Sequence, residues 1–337
     1  MLLQLFDVPS STFTYIVAVD ESREAAIIDP VLGHADRDLG ELARHGLKLR
    51  WILDTHVHAD HETGANALKA ATGAGTAIGA QCGSIGHDQA LLDGDQLPLG
   101  NGVIRVIATP GHTPGSLSYL WGKNIFTGDA LLIEGCGRTD FQNGCSYALH
   151  HSITSKLFGL PDEIIVWPGH DYRHRHSSTI GHEKRHNPRV AGKDVATFSA
   201  LMKNLKLAPP TMLDQAVLAN RHGGALQSGE AVPAMLMARK LESTFDAAND
   251  ALADLRDASD FLQDSLPIAV RMDCTDIAAL ADLAKQHRTL FLICRSGRRS
   301  LVAADALLKI GVENVCTVTG GMLALRTAAA TALEPHA

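Results

Sequence analysis

Short runs of β-branched and aromatic residues, separated by polar turns, dominate the first half of the chain. FTYIVAVD (13–20), AAIIDP (25–30), WILDT (51–55), IRVIATP (104–110), SLSYLWG (116–122), NIFTGDA (124–130) and EIIVWPGH (163–170) read as strands, and the apolar spacing predicts helices over 62–72 and 146–158. Many strands with few helices between them imply sheets that carry helices on their outer faces. Residues 208–234, with APP and HGGALQSGEAVP, gather breakers and predict a domain junction. Past it, ALADLR (251–256), PIAVRM (267–272), TLFLIC (289–294) and NVCTVTGG (314–321) alternate with helical patterns over 276–286 and 298–310, which implies a small parallel α/β domain. The expected division is 1–223 and 224–337, and a length of 337 residues accommodates two domains of ordinary size.

Composition removes several function classes. Hydrophobic residues make up 45% and charged residues 20%, the balance of a folded globular protein rather than a disordered one. Thirty Lys and Arg against 37 Asp and Glu give a net charge of −7, so no overall field recruits nucleic acid or an anionic membrane, and small-molecule substrates are expected. No apolar run is long enough to span a bilayer, and the first residues lack a basic, signal-like segment, so a cytoplasmic protein, bacterial in character, is expected. Six cysteines without any CxxC pair fit reduced thiols rather than a disulfide framework. The chain holds 17 histidines, and they gather beside acidic residues and glycines.

WILDT runs into His56-Val57-His58-Ala59-Asp60-His61. Extended geometry puts His56 and His58 on one side, and the following turn brings Asp60 and His61 to the same pocket. Three further strand ends carry His112 in TPGHTPG, Asp129 in TGD and His170 in PGHDY. Any one of these residues alone reads as a capped or solvated loop residue. Together they offer seven metal donors, and two arrangements are open. A dinuclear zinc hydrolase would place His56, His58 and His112 on one ion, Asp60, His61 and His170 on the other, and Asp129 between them. A mononuclear iron enzyme would use two histidines and one carboxylate and keep adjacent positions open. Spacing alone does not choose.

HxHxDH, GHTPGS, TGD and PGH in this order resemble the metallo-β-lactamase superfamily, which implies an αββα sandwich over about residues 1–223. SSTFTYIV, SREAAIIDPVLG, THVHADHETG, FTGDALLI, GCGRTDFQNG and NPR are similar to the persulfide dioxygenases, whereas glyoxalase II lacks GCGRTDFQ. The resemblance implies one Fe(2+) per chain held by His56, His112 and Asp129, with His58, Asp60, His61 and His170 orienting those ligands. It implies oxidation of glutathione persulfide by O2 to sulfite and glutathione, with Arg138, Tyr172 and Arg189 near the substrate. An Arg fork suits the carboxylates of a tripeptide. The His- and Arg-rich run beyond Tyr172, to His186, reads as solvated surface.

In the second domain TLFLIC ends on Cys294, followed by Arg295, Ser296, Gly297, Arg298, Arg299 and Ser300 before a helical pattern. Backbone N–H groups at such a turn, with the arginines, favour an anionic, nucleophilic sulfur. CRSGRRS resembles the active-site loop of rhodanese sulfurtransferases; related phosphatases need Arg where Ser300 stands. Asp254-Leu255-Arg256 and Thr319-Gly320-Gly321-Met322 support the resemblance over about 230–330, while Asp264 to Ala269 departs from the family's GHIPGA segment. The resemblance implies exchange of sulfane sulfur between thiosulfate and glutathione through a Cys294 persulfide, with sulfite as co-product. The alternatives are a glyoxalase II-like thioester hydrolase with a rhodanese-like sulfur carrier, or a sulfur relay with a structural metal. A homo-oligomer is compatible with each.

Overall fold

The computed structural model describes residues 1–205, 213–224, 234–237, 241–295, 297–319, 321–322 and 325. The chain divides into two compact units, 1–226 and 227–337.

The first unit holds two six-stranded sheets. One is formed in spatial order by β1 (Leu2–Asp7), β2 (Thr12–Ala18), β3 (Glu24–Ile28), β4 (Lys48–Leu53), β5 (Gly75–Gly79) and β6 (Gln89–Leu91). The other runs β7 (Gln96–Leu99), β8 (Gly102–Ala108), β9 (Leu117–Trp121), β10 (Asn124–Gly128), β11 (Ile165–Pro168) and β12 (Ser178–Thr179). Helices are α1 (Ala35–Arg44), α2 (Ala65–Thr72), α3 (Ser146–His151), α4 (Ile180–His186), α5 (Val195–Lys203) and α6 (Leu213–Arg221), and α3 continues as a π-helical stretch, Ser152–Leu157.

Alternation along the strands explains the layers. Phe13, Tyr15 and Val17 on β2 point at Val106, Tyr119 and Phe126 of the opposite sheet and form the core between the sheets. The intervening Ile16 and Ala18 pack with Ile27, Ile52, Leu42 of α1 and Leu68 of α2. On the far side of the second sheet, Ile125 and Val166 meet Leu149, Ile180 and Phe198 of α3, α4 and α5. The result is a four-layer helix–sheet–sheet–helix sandwich, and strands covered on both faces are apolar at nearly every position. Cross-sheet hydrogen bonds pin the strand ends: Tyr15 Oη donates to the Pro168 carbonyl at 2.6 Å and Tyr119 Oη to that of Asp54 at 2.8 Å.

The second unit is a five-stranded parallel sheet in the order β13 (Ala234–Met237), β17 (Val315–Thr319), β16 (Thr289–Ile293), β14 (Asp250–Asp254), β15 (Ala269–Arg271). Helices α9 (Ile277–Lys285) and α10 (Arg298–Lys309) cover one face through Leu280, Ala284, Ala303 and Leu307; α7 (Leu241–Thr244) lies on the other, and α8 (Ala258–Asp264) joins β14 to β15. The mixed α/β character and the two fold types expected from sequence are both present.

Two features differ from the sequence expectation. Strands β1, β5, β6, β7, β12 and β13 were not anticipated; most of them are short or contain Gly or Pro and carry little periodic signal. The breaker-rich stretch 208–234 is not simply a junction: α6 lies inside it and belongs to the first unit. Gly223 and Gly224, at φ 83° and 104°, follow the end of that helix and fit tightly there, a Cβ on Gly224 falling 2.1 Å from the Thr63 carbonyl oxygen. The APP segment at 208–210 lies outside the described residues. Among the described residues no helix is long and apolar enough to cross a membrane.

Where the rhodanese-type segment is lost, its replacement has a structural use. Arg256, nearly inaccessible to solvent, meets the buried Asp254 at 2.7 Å and Asp264 at 2.8 Å. Arg256→Met leaves Asp254 buried without its cation, and breaking such a pair costs about 3 kcal/mol. Urea unfolding should show the second unit destabilised by that amount and the first unit's transition unchanged.

Candidate functional site

Each donor of the first unit sits just past a strand end. His56 to His61 follow β4, His112 follows β8, Asp129 follows β10 and His170 follows β11. Glycines let these loops close on one another. A Cβ at Gly111, where φ is 138°, would lie 2.2 Å from the Leu149 nitrogen; one at Gly137 would lie 2.3 Å from the Asp129 carbonyl oxygen and 2.9 Å from His112 Nδ1.

One donor atom each from His56, His112 and Asp129 lies within 4.8 Å of the other two, and a second group of the same tightness joins His58, Asp60 and His61. His112 Nε2 is 3.5 Å from Asp129 Oδ2, and His170 Nε2 is 3.4 Å from Asp129 Oδ1. Hydrogen bonds fix which imidazole nitrogens are bare. Thr55 Oγ1 donates to Asp29 Oδ2 at 2.9 Å, so the contact of 2.9 Å between Thr55 Oγ1 and His56 Nδ1 is donated by the imidazole and leaves Nε2 with its lone pair. His112 Nδ1 donates to the Arg138 carbonyl at 2.8 Å, which again leaves Nε2 bare.

His58 donates from Nε2 to Asp29 Oδ1 at 3.0 Å, and His61 from Nδ1 to Asp60 Oδ2 at 3.0 Å. Their other nitrogens, and Asp129 Oδ1, are buried without a hydrogen-bond partner. Buried polar atoms left without a partner are costly, and a set of imidazoles and carboxylates is the donor chemistry that a metal cation would meet. The residues therefore fit a metal ion.

Burial, with His58 and His112 close by, holds His56 well below the usual histidine range and hence neutral. His58 behaves oppositely: burial works against its charge, but the Asp29 carboxylate prevails and lifts it to about 9. Burial opposes the charge of Asp60 too, yet His170 and His61 keep it well below the usual carboxylate range.

The three candidate substrate residues differ. Arg138 places its fork on Asp140, with both contacts at 2.7 Å, and its guanidinium 4.1 Å from the Phe141 ring centroid. Tyr172 is 72% exposed and stacks on His170 with the ring planes 5° apart. Arg189 donates to the Cys136 carbonyl at 2.7 Å, which braces the loop leading to Arg138. Past Tyr172, Arg175 pairs with Asp171 and Glu134, His182 with Glu134, and Arg185 with Asp162, an ion-paired surface.

Sequence reasoning missed Asp29, Asp54, His87 and Asn220. Asp54 accepts from His87 Nε2 at 2.8 Å and from Thr63 Oγ1 at 2.9 Å. Asn220, buried on α6, donates to the carbonyls of His58 at 2.9 Å and His61 at 2.7 Å and accepts from the Thr63 nitrogen at 2.7 Å. An Asp closing an otherwise apolar strand, in AAIID and WILD, was a usable signal; nothing local marks Asn220.

In the second unit Cys294 is buried at the end of β16. Gly297, at φ 91°, turns its N–H to Sγ at 3.2 Å, and α10 begins at the next residue. Ser300 Oγ lies 3.6 Å from Sγ and donates to the Gly297 carbonyl at 3.0 Å. Arg295 is exposed and Arg299 pairs with Asp257 at 3.0 Å, so that guanidinium is engaged away from the sulfur. Arg298 opens α10; Ser296 and Gly320 lie outside the described residues. The Met322 nitrogen donates to the Cys294 carbonyl at 2.9 Å. All six cysteines are free thiols.

Residues 8–170 match the metallo-beta-lactamase superfamily and 237–328 the rhodanese-like domain. The mitochondrial persulfide dioxygenase ETHE1 of Homo sapiens is 41% identical over 226 residues, which cover 66% of this chain and 89% of that protein. The crystal structure of ETHE1 from Myxococcus xanthus superposes with a TM-score of 0.66 at 49% identity and covers 67% of this chain and 100% of that one. A metallo-beta-lactamase structure from Staphylococcus aureus, with a TM-score of 0.60 at 23% identity over 94% of this chain and 98% of that one, is a likeness of fold alone.

Asn220→Ala strands two carbonyls and one N–H in the interior. At about 1 kcal/mol or more per stranded group, the first unit should lose about 3 kcal/mol in chemical denaturation, while the second unit keeps its stability.

Proposed function

The chain belongs to the persulfide dioxygenase family of the metallo-beta-lactamase superfamily and carries a rhodanese-like domain, and from this premise we propose that it oxidises glutathione persulfide to sulfite and glutathione and exchanges sulfane sulfur through Cys294. The observation that carries the reading is the triangle of two bare imidazole nitrogens and one carboxylate, His56, His112 and Asp129. Two histidines and a carboxylate on one face are the ligand set of ferrous oxygenases. These three would hold Fe(2+), which when bound supplies adjacent open positions for O2 and the soft terminal sulfur of a persulfide.

The chain's own residues do the rest. Thr55 and the Arg138 carbonyl fix the two imidazole tautomers, and Asp29 fixes Thr55. His58, Asp60, His61 and His170 surround the ligands with a polar, hydrogen-bonded wall. A substrate carboxylate would exchange with the half-exposed Asp140 on the Arg138 fork. Tyr172 offers an exposed ring stacked on His170, and Arg189 holds the loop before Arg138 in place.

In the second unit the Cys294 sulfur attacks the sulfane sulfur of thiosulfate, the S–S bond breaks, and sulfite leaves with the electron pair. Glutathione thiolate then takes the sulfane sulfur from the Cys294 persulfide and restores the thiolate. The Gly297 N–H and the start of α10 stabilise the anionic sulfur at both stages. Linkage in one chain keeps a labile persulfide at raised local concentration near its consumer. Unbridged cysteines suit a reducing compartment such as a bacterial cytosol.

A second reading has one observation in its favour. The unpartnered nitrogens of His58 and His61, beside Asp60, could complete a second site, as in a dinuclear zinc thioester hydrolase.

Protein purified without oxygen should contain about one iron per chain and take up O2 on addition of glutathione persulfide, with sulfite formed. Two zinc ions per chain and no O2 uptake would establish the hydrolase instead. Cys294→Ser should lower thiosulfate-to-glutathione transfer by on the order of a thousandfold or more and leave persulfide-dependent O2 uptake unchanged. His112→Ala should do the converse and lose its iron; retention of stoichiometric iron in that variant sinks the ligand assignment.

A further inference from the structure

We propose that Asp257 and Arg299 form a docking pair beside the Cys294 loop for a zwitterionic head, the α-ammonium and α-carboxylate at the γ-glutamyl end of glutathione. The proposal deepens the sulfurtransferase reading of the second unit and rests on it. In the acceptor step the glutathione thiolate forms a bond to the outer sulfur of the Cys294 persulfide, the bond from that sulfur to Sγ breaks, and the electron pair returns to Sγ. The exchange itself needs no ammonium group, so a site for one serves to choose the acceptor.

The sheet brings the two residues to one place. Asp254 of β14 and Ile293 of β16 are register partners in adjacent parallel strands, and the Leu255 nitrogen donates to the Ile293 carbonyl at 2.7 Å. Both segments therefore leave the sheet at the same end, Asp257 shortly after β14 and Cys294 directly after β16. Behind Asp257 the chain is anchored by Arg256 on Asp254 and Asp264. Arg299 stands next to Ser300, whose Oγ is 3.6 Å from the Cys294 sulfur, and its Nη1 donates to Asp257 Oδ1 at 3.0 Å.

Neither residue is used as its local position favours. Asp257 is the N-cap of α8, with extended backbone at φ −64° and ψ 156°, where a carboxylate ordinarily accepts from the first N–H groups of the helix, yet it makes no such bond. Arg298 and Arg299 open α10, whose first turn holds no acidic residue, and cations there oppose the helix dipole. The pair is open to water, the Asp257 side chain 74% exposed and that of Arg299 34%, and an exposed ion pair adds little to folding. Local preferences set aside at one point beside a nucleophile mark a residue choice made for a ligand.

Charge complementarity names that ligand. A guanidinium fork takes a carboxylate, and a carboxylate takes an ammonium. An α-amino acid head carries both on one carbon, so docking exchanges one ion pair for two and strands no charge. Thiosulfate brings no cation and would meet Asp257 as a like charge, so the pair discriminates between the donor and the acceptor. The Arg299 guanidinium is engaged away from the sulfur, which suits glutathione, whose head is separated from its thiol by the glutamyl side chain and an amide. Free cysteine carries its head next to the thiol.

The test assays the full chain with thiosulfate as donor and three acceptors: glutathione, glutaryl-cysteinylglycine, which is glutathione without the α-ammonium, and free cysteine. In the parent, the KM for glutaryl-cysteinylglycine should exceed that for glutathione by about tenfold at similar kcat. Asp257→Asn should raise the glutathione KM by about the same factor, leave the KM for glutaryl-cysteinylglycine and for free cysteine unchanged, and give a thiosulfate KM no higher than the parent's. Asp257→Glu, which restores the carboxylate, should recover most of the loss. Equal KM values for the two tripeptides in the parent, a comparison that needs no variant, overturn the docking pair. So do a parent-like glutathione KM in Asp257→Asn and a rise shared by thiosulfate, which is the mark of a loop that has lost a brace. A rise with free cysteine as large as that with glutathione overturns the γ-glutamyl assignment. A parent that moves no sulfur from thiosulfate to any of the three thiols overturns the sulfurtransferase reading and the docking pair with it.

Discussion

The buried carboxylate of Asp29 is the constraint on which the first site depends. It lies just past β3, at φ 51°, and accepts from the Thr55 nitrogen at 2.7 Å, Thr55 Oγ1 at 2.9 Å and His58 Nε2 at 3.0 Å. A carboxylate removed from water is tolerated only when its lone pairs are met by donors, so these bonds are obligatory once the sheet has closed. They join the end of β3 to the loop after β4, orient His58 directly and orient His56 through Thr55. The geometry of the metal site is thus a consequence of satisfying one buried charge, and the left-handed backbone at Asp29 is the strain accepted to aim it.

Much of this was legible in the chain. The seven donors, their order and their location at strand ends could be read from HVHADH, GHTPG, TGD and PGH, because a strand end fixes which way the next residues turn. The strands with long apolar runs were visible for the same reason, both faces being covered. What escaped had no local signature. Asn220 acts from α6, 159 residues beyond the His61 carbonyl it holds, and lies in a stretch whose glycines and prolines suggested a linker. Asp54 and His87 meet only after the chain has folded, and β5 to β7 are too short to show a period. Local pattern specifies elements and their ends; the contacts that brace a site are long-range and invisible to it.

Two arginines show how chemistry suggested by residue type is redistributed by packing. Arg189 suits a carboxylate but is used on the Cys136 carbonyl, and Arg299 suits an anionic sulfur but pairs with Asp257. At Cys294 the electrostatic help visible in the structure is a backbone N–H and a helix start, which do not depend on a mobile side chain. Arg256 and Asp264 make the same point in reverse: a segment that departs from the familiar sequence still supplies the partner its neighbour needs.

Both units obey one rule, that of reactive groups placed on turns at the C-terminal ends of strands, where a rigid sheet fixes the loop's origin and leaves its tip free to meet a substrate. They differ in how charge is managed. The thiol site must stabilise one anion, and a few aligned N–H groups suffice. Under the proposed function the metal pocket binds a cation and takes up an anionic sulfur, so it must keep donor atoms free for the ion. Imidazoles whose tautomer is locked by a protein partner meet that demand, because each keeps its remaining lone pair for the metal. Which nitrogen each histidine spends on its protein partner therefore decides which one is left to face the metal.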